Sequence, residues 1–211
     1  KEAYDFAEDT WDEEKTFFEG DLLLGIDAFK KKKYRKAEKH FERLNPISSQ
    51  NLVFADFLGN VLISWVKASE NDQKNSFKFY DKIPNRFSNL KQIQNSFLQC
   101  YFDTSKTETN YLDLLKNNEY DFSRYNYFLI NYLISKNKIS EANKILDKNI
   151  DNLHSRNLLI KQTGNFLKNN NKKKITDFFS CKDPKDNIAE IFYVIANLYS
   201  SEENYQLSNF Y

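Results

Sequence analysis

Two amphipathic helical runs joined by a short charged turn recur along this chain at a near-constant interval. That period constrains the fold more than any other feature. Apolar residues at Leu22, Leu23, Ile26 and Phe29, then at Tyr34, Ala37, Phe41 and Leu44, mark one helix–turn–helix unit broken at Lys30 to Lys33. The same shape returns at Phe128 to Ile134, a Ser135 to Lys138 turn, then Ile139, Ala142 and Leu146. Ala37 and Ala142 lie 105 residues apart, three times 35, which leaves room for two copies between them. One runs from Val61–Val66 to Ser76 and Tyr80, the other from Phe97–Phe102 to Asn110, Leu114 and Leu115. A fifth joins Leu158–Leu167 to Ile175 and Phe179, and a sixth runs from Ile191–Tyr199 to Ser208. Equivalent second-helix positions are then Ala37, Ser76, Asn110, Ala142, Ile175 and Ser208, spaced by 39, 34, 32, 33 and 33.

The prolines supply an independent check. Pro46, Pro84 and Pro184 fall nine, eight and nine residues after Ala37, Ser76 and Ile175, all in one phase just beyond a second helix. Proline lacks an N–H and clashes with the preceding turn, so it stops helices there. With 4 Gly and 3 Pro in 211 residues, the chain lacks the turn residues of an all-β domain or a collagenous repeat. Its helix-connecting turns are made from Lys and Asn instead, and its 16% aromatic content is expected to pack helix against helix. The expected fold is all-α, a single array over 1–211 of about six helix–turn–helix units. The units run roughly 18–50, 57–90, 91–121, 123–154, 156–187 and 189–211, the last truncated; residues 1–17 read as the end of a preceding repeat.

In its first unit Leu24-Gly25, Ala37 and Phe41 stand at the spacing of the tetratricopeptide (TPR) repeat. The small Gly25 and Ala37 let two helices approach, and Phe41 fills the space beside them. The chain resembles TPR proteins over nearly all its length. More closely, it is similar to a large group of bacterial TPR proteins, in an AT-rich-genome version with a shortened motif. Leu22 to Leu44, Leu62 to Trp65, Gly164 to Leu167 and Ile188 to Phe192 carry that likeness. It departs from the pattern at Asp21, which replaces the large first-helix aromatic, and at Leu129-Ile130 and Ile195-Ala196, which replace Leu-Gly. The fifth unit registers on either Thr163 or Gly164. The resemblance implies a right-handed solenoid with a concave binding face. First-helix positions in the TPR register then place Trp65 with Val61, Asn95 with Gln99 and Phe102, Tyr127 with Asn131 and Ile134, and Tyr193 with Asn197 and Ser200 on that face. Amides beside aromatic rings suit an extended peptide, whose backbone they bond and whose side chains the rings stack.

Catalytic constellations are missing. His40 and His154 have no Cys or carboxylate partner at ligand spacing on their own helices and read as surface or boundary residues, so no metal and no cofactor is expected. Glycines at 20, 25, 59 and 164 cannot form a phosphate loop. Cys100 and Cys181, without a second thiol near either, read as free thiols of a reducing, cytoplasmic setting. Lys+Arg 31 against Asp+Glu 30 gives a net charge of +1, too little for a field that attracts nucleic acid. Lys30–Lys33 and Lys172–Lys174 read as solvated turns on one edge, with an RNA- or acid-binding edge as the lesser alternative. Leu52 to Val66, interrupted by Asp56 and Asn60, is too short to cross a membrane and reads as a buried helix. The chain starts at Lys1, has no Met and ends inside a unit, which implies a processed or partial chain with further repeats. The function expected is non-catalytic: a scaffold that binds a peptide or protein segment. The alternative is a repeat module of a longer protein whose partner is its own chain or another subunit.

Overall fold

The computed structural model describes residues 2–12, 15, 17–46, 53–116, 122–150, 158–169 and 171–211. Every regular element among them is helical. A first helix α1 (Glu2–Thr10) precedes six helix pairs: α2 (Phe18–Lys30) with α3 (Tyr34–Glu42), α4 (Ala55–Ser69) with α5 (Gln73–Asp81), and α6 (Ser88–Tyr101) with α7 (Thr107–Leu115). Then come α8 (Tyr125–Ser135) with α9 (Ile139–Ile150), α10 (Leu158–Lys168) with α11 (Lys172–Phe178), and α12 (Pro184–Ser201) with α13 (Tyr205–Phe210). The chain divides into two compact units, 1–94 and 95–211.

One turn is used six times. In each pair an N–H reaches back five residues to a carbonyl of the first helix: Lys33 to Ala28, Asp72 to Lys67, Thr104 to Gln99, Lys138 to Leu133, Asn171 to Phe166 and Asn204 to Tyr199, at 2.7–3.0 Å. The preceding N–H bonds three residues back in five described cases, from Lys32, Asn71, Asp103, Asn137 and Glu203. These are the two bonds of a Schellman C-cap, which satisfies carbonyls that the helix end would otherwise orphan. The residue between must be left-handed, and these five have φ of 55–61°. None is glycine; Lys32, Asn71 and Asn137 fit the expectation of Lys and Asn turns, whereas Asp103 and Glu203 are acidic.

Ala37, Ser76, Ala142 and Ile175 are buried at the start of their second helices. The third and sixth units differ: Thr107, the first residue of α7, is buried while Asn110 is only half-buried, and Ser208 is half-buried. Close approach is visible at Gly25, where a Cβ would lie 2.4 Å from Phe41 Cε1. Pro84 caps a 3-10 turn (Asn85–Phe87) and Pro184 opens α12 behind the Asp183 cap, while Pro46 follows α3. Pro46 and Pro84 stand between one pair and the next, and Pro184 is the first residue of the sixth pair.

In residues 1–94, α4 is the buried centre. Phe57, Leu58, Leu62, Ile63 and Trp65 are enclosed there, and Phe57 meets Phe54 and Phe87 ring to ring. The part of the apolar run 52–66 within the described residues is therefore the buried helix expected. In residues 95–211, Phe97 is the hub, with the rings of Tyr111, Tyr125, Phe128 and Phe179 centred 5.1–6.3 Å away. Beside it the cysteine expectation fails. Cys100 on α6 and Cys181, between α11 and α12, are joined by a disulfide with Cα atoms 5.9 Å apart. Both are buried, and 81 residues separate them in sequence, a distance that hid the pairing from any motif.

Candidate functional site

The residues expected on one binding face are divided between the two compact units and differ in burial. Trp65, in residues 1–94, is wholly buried, and its indole donates to Gln94 Oε1 at 3.0 Å. Val61 is buried beside it on α4. Both belong to the core.

In residues 95–211 the amides bond mainly to their own fold. Asn95 Nδ2 donates to Asn110 Oδ1 at 2.7 Å, Gln99 Nε2 to Asn95 Oδ1 at 3.2 Å, and Thr104 Oγ1 to Gln99 Oε1. Phe102 is half-buried against the Tyr101 ring. Tyr127 and Asn131 are turned into the fold rather than out of it. Tyr127 donates its hydroxyl to the Ile175 carbonyl at 3.0 Å, and Asn131 Nδ2 donates to the carbonyls of Ile175 and Phe179 at 3.1 and 2.8 Å. These bonds tie α8 to α11, whose seven residues leave most of their carbonyls without an intrahelical partner. Burial pushes the Tyr127 hydroxyl up to about 12, against a smaller lowering by Asn131. Tyr193, by contrast, is 47% exposed, and Asn197 is exposed and donates to the Tyr193 carbonyl at 2.6 Å. Arg124 stacks 4.0 Å over the Tyr193 ring and forks onto the buried Glu190 carboxylate at 2.7 and 2.8 Å. Equal repeat phase thus places Asn131 inside and Asn197 outside.

An apolar cleft of about 280 Å³ opens between α8, α10 and α11. Tyr127, Thr163, Phe166, Ile175 and Phe178 line it, together with the oppositely charged Lys174 and Asp177. Phe178 is 63% exposed, and the Lys174 ammonium lies 5.7 Å from the Phe166 ring centre. Of the residues expected on the binding face, Tyr127 is the one that lines this cleft. Phe166 and Phe178 were missed because helical spacing marks an aromatic as apolar without showing which side of it stays uncovered.

A second cluster lies in residues 1–94. Asp21, in the first turn of α2, has no exposed surface and accepts from Trp11 Nε1 at 2.9 Å, His40 Nδ1 at 3.0 Å and Arg43 Nε at 3.0 Å. Arg43 continues to the backbone carbonyls of Asp12 and Lys15. Burial alone would raise the Asp21 carboxyl; the three donors outweigh it and hold the group below the usual carboxylate range. His40 is therefore not a surface residue: it is buried, packed edge-on to Trp11 with ring centres 5.3 Å apart, and paired with a carboxylate one helix away. His154 lies outside the described residues. A cavity of about 300 Å³ adjoins the cluster, lined by Glu8, Trp11, Leu24, Lys36, Lys39 and His40.

The two lysine runs do not share a position. Lys30 ends α2 and Lys31 to Lys33 form the turn, with Lys31 bonded to Asp27 at 2.7 Å. Lys172 to Lys174 are instead the first three residues of α11, where the helix dipole disfavours cations. Among the described residues no group of His, Cys, Asp and Glu could hold a metal, and no helix is long and apolar enough to cross a membrane. Comparison with family models, with curated proteins and with solved structures gives no match.

Proposed function

We propose that the chain is a right-handed, TPR-like helical-repeat protein that binds a protein segment without catalysing a reaction. The binding element is the α8–α10–α11 cleft rather than the whole amide and aromatic ladder. The carrying observation is an apolar cleft that leaves Phe178 open to solvent. The six-fold reuse of one C-cap turn supports the repeat reading. Cleft volume and lining suit a single aromatic or branched aliphatic side chain of the partner, with the charges of Lys174 and Asp177 balancing each other on the lining. The buried Cys100–Cys181 bridge supports an oxidising compartment in place of the cytoplasmic one expected.

A displayed random-peptide library selected on the full chain tests this. Enriched peptides are expected to share an apolar anchor. They should bind Phe178→Ser and Lys174→Glu about tenfold more weakly, each such loss being roughly 1.4 kcal/mol. Phe178 is exposed, so its substitution leaves the core intact. Peptides that bind both variants as tightly as the parent chain would place the site elsewhere, and salt-sensitive retention of RNA alone would favour the lysine runs.

A further inference from the structure

We infer that two copies of the chain associate reciprocally, the acidic outer face of α1 in each copy docking on the lysine-rich α2–α3 turn of the other. This surface lies in residues 1–94 and is independent of the α8–α10–α11 cleft.

The near-zero net charge conceals a strong segregation. Residues 2–14 hold seven acidic side chains and no basic one, and residues 30–36 hold six basic side chains and no acidic one. Pairing inside the fold leaves much of this charge uncompensated. Lys31 is bonded to Asp27 at 2.7 Å. Lys30, Lys32, Lys33, Arg35 and Lys36 are exposed and pair with no carboxylate among the described residues. On α1, Glu2, Asp5 and Asp9 are likewise exposed and pair with no cation among them.

Each cluster is also unfavourable where it stands. The first turn of α3 carries Arg35 and Lys36, with no acidic residue and no side-chain cap, so its cations face the positive end of the helix dipole. The last turn of α1 carries Asp9 and no basic residue, the opposite mismatch. Asp5 and Asp9, four residues apart on that helix, repel each other as well. Bringing the two clusters together relieves all three.

Geometry identifies the occupant as a second copy. Ala7 is the buried residue of α1, and the helical period puts Glu2, Asp5, Phe6 and Asp9 on the opposite side. That face points away from α2, against which α1 packs. Phe6 at its centre is 62% exposed. Lysine stems and the Arg35 guanidinium offer such a ring a seat. The start of α1 also lies beside the turn, with the Lys31 ammonium 5.1 Å from the Tyr4 ring centre. An acidic face and a basic turn side by side form a self-complementary patch, which a two-fold axis matches twice. A nucleic acid at the turn would meet the α1 acids next to it, whereas a second copy satisfies both charges.

Sedimentation velocity of the full chain tests this. The parent chain is expected to sediment at doubled mass in about 20 mM salt. In about 500 mM salt, half-association should need more than about tenfold higher concentration, as the Debye length falls from about 20 Å to about 4 Å. Two charge reversals on exposed side chains, which leave the core intact, locate the contact. The triple variant Lys32→Glu, Lys33→Glu, Lys36→Glu and the double variant Asp5→Lys, Asp9→Lys are each expected to be monomeric alone. Mixed in equal amounts they should regain the doubled mass, because each reversed face then meets its complement. A parent chain that stays monomeric in low salt overturns the proposal. So does association that survives either reversal, or a mixture that fails to restore it.

Discussion

Asp21 shows how much chemistry a single position can hide. Read against the repeat pattern it is only a lost aromatic; in the fold it is the centre of a buried network with Trp11, His40 and Arg43. Its partners lie 10, 19 and 22 residues away, beyond the reach of helical spacing, and the same blindness made His40 a surface residue. The network has a pH signature. Because Asp21 sits below its unfolded value of about 3.9, the stability it supplies is complete above that pH and is lost as pH falls through the lower folded value. Asp21→Asn should therefore flatten the acid limb of a stability–pH curve below about pH 4. At neutral pH Asp21→Ala should cost roughly 3–5 kcal/mol, since it strands Arg43 without its carboxylate. Chemical denaturation across pH checks both; an unchanged acid limb in Asp21→Asn would show that the carboxylate is not the group responsible. The opposite lesson comes from Leu24-Gly25, Ala37 and Phe41. Their meaning is local close packing, and the structure has Phe41 against Gly25 as their spacing implied.

At the scale of elements, the period was legible because each turn closes in the same way. An N–H reaching back five residues needs a left-handed residue before it, and that requirement fixes the distance between the paired helices. Spacing failed in the third unit, where Thr107 rather than Asn110 is the buried position. It also failed for side-chain direction: Asn131 and Asn197 share a phase, yet α11 gives Asn131 two carbonyls to bond whereas Asn197 bonds only its own helix. The turn residues themselves hold untapped stability. A left-handed conformation costs a side-chain-bearing residue roughly 1–2 kcal/mol, and glycine avoids that cost. Lys32→Gly and Glu203→Gly should each stabilise by up to about 1 kcal/mol after glycine's extra unfolded-state entropy is subtracted. Urea midpoints measure this. A lower midpoint in both variants would mean that these turns are not the left-handed caps described.

For the molecule as a whole, the disulfide is the feature that sequence could not reveal and that changes most. It closes an 81-residue separation within residues 95–211 and encloses the helices that form the apolar cleft. Chain-entropy arguments give such a bridge up to about 4.5 kcal/mol. Reduction, or Cys100→Ser with Cys181→Ser, should strip hydrogen-exchange protection from α8 and α11 while leaving α4, in the other compact unit, protected. The same cleft carries the central claim. The direct measurement is an NMR shift map of the full chain with a selected peptide bound. The account predicts perturbations centred on Thr163, Phe166, Lys174 and Phe178. Perturbations centred on Tyr193 and Asn197, with these four unmoved, would contradict it.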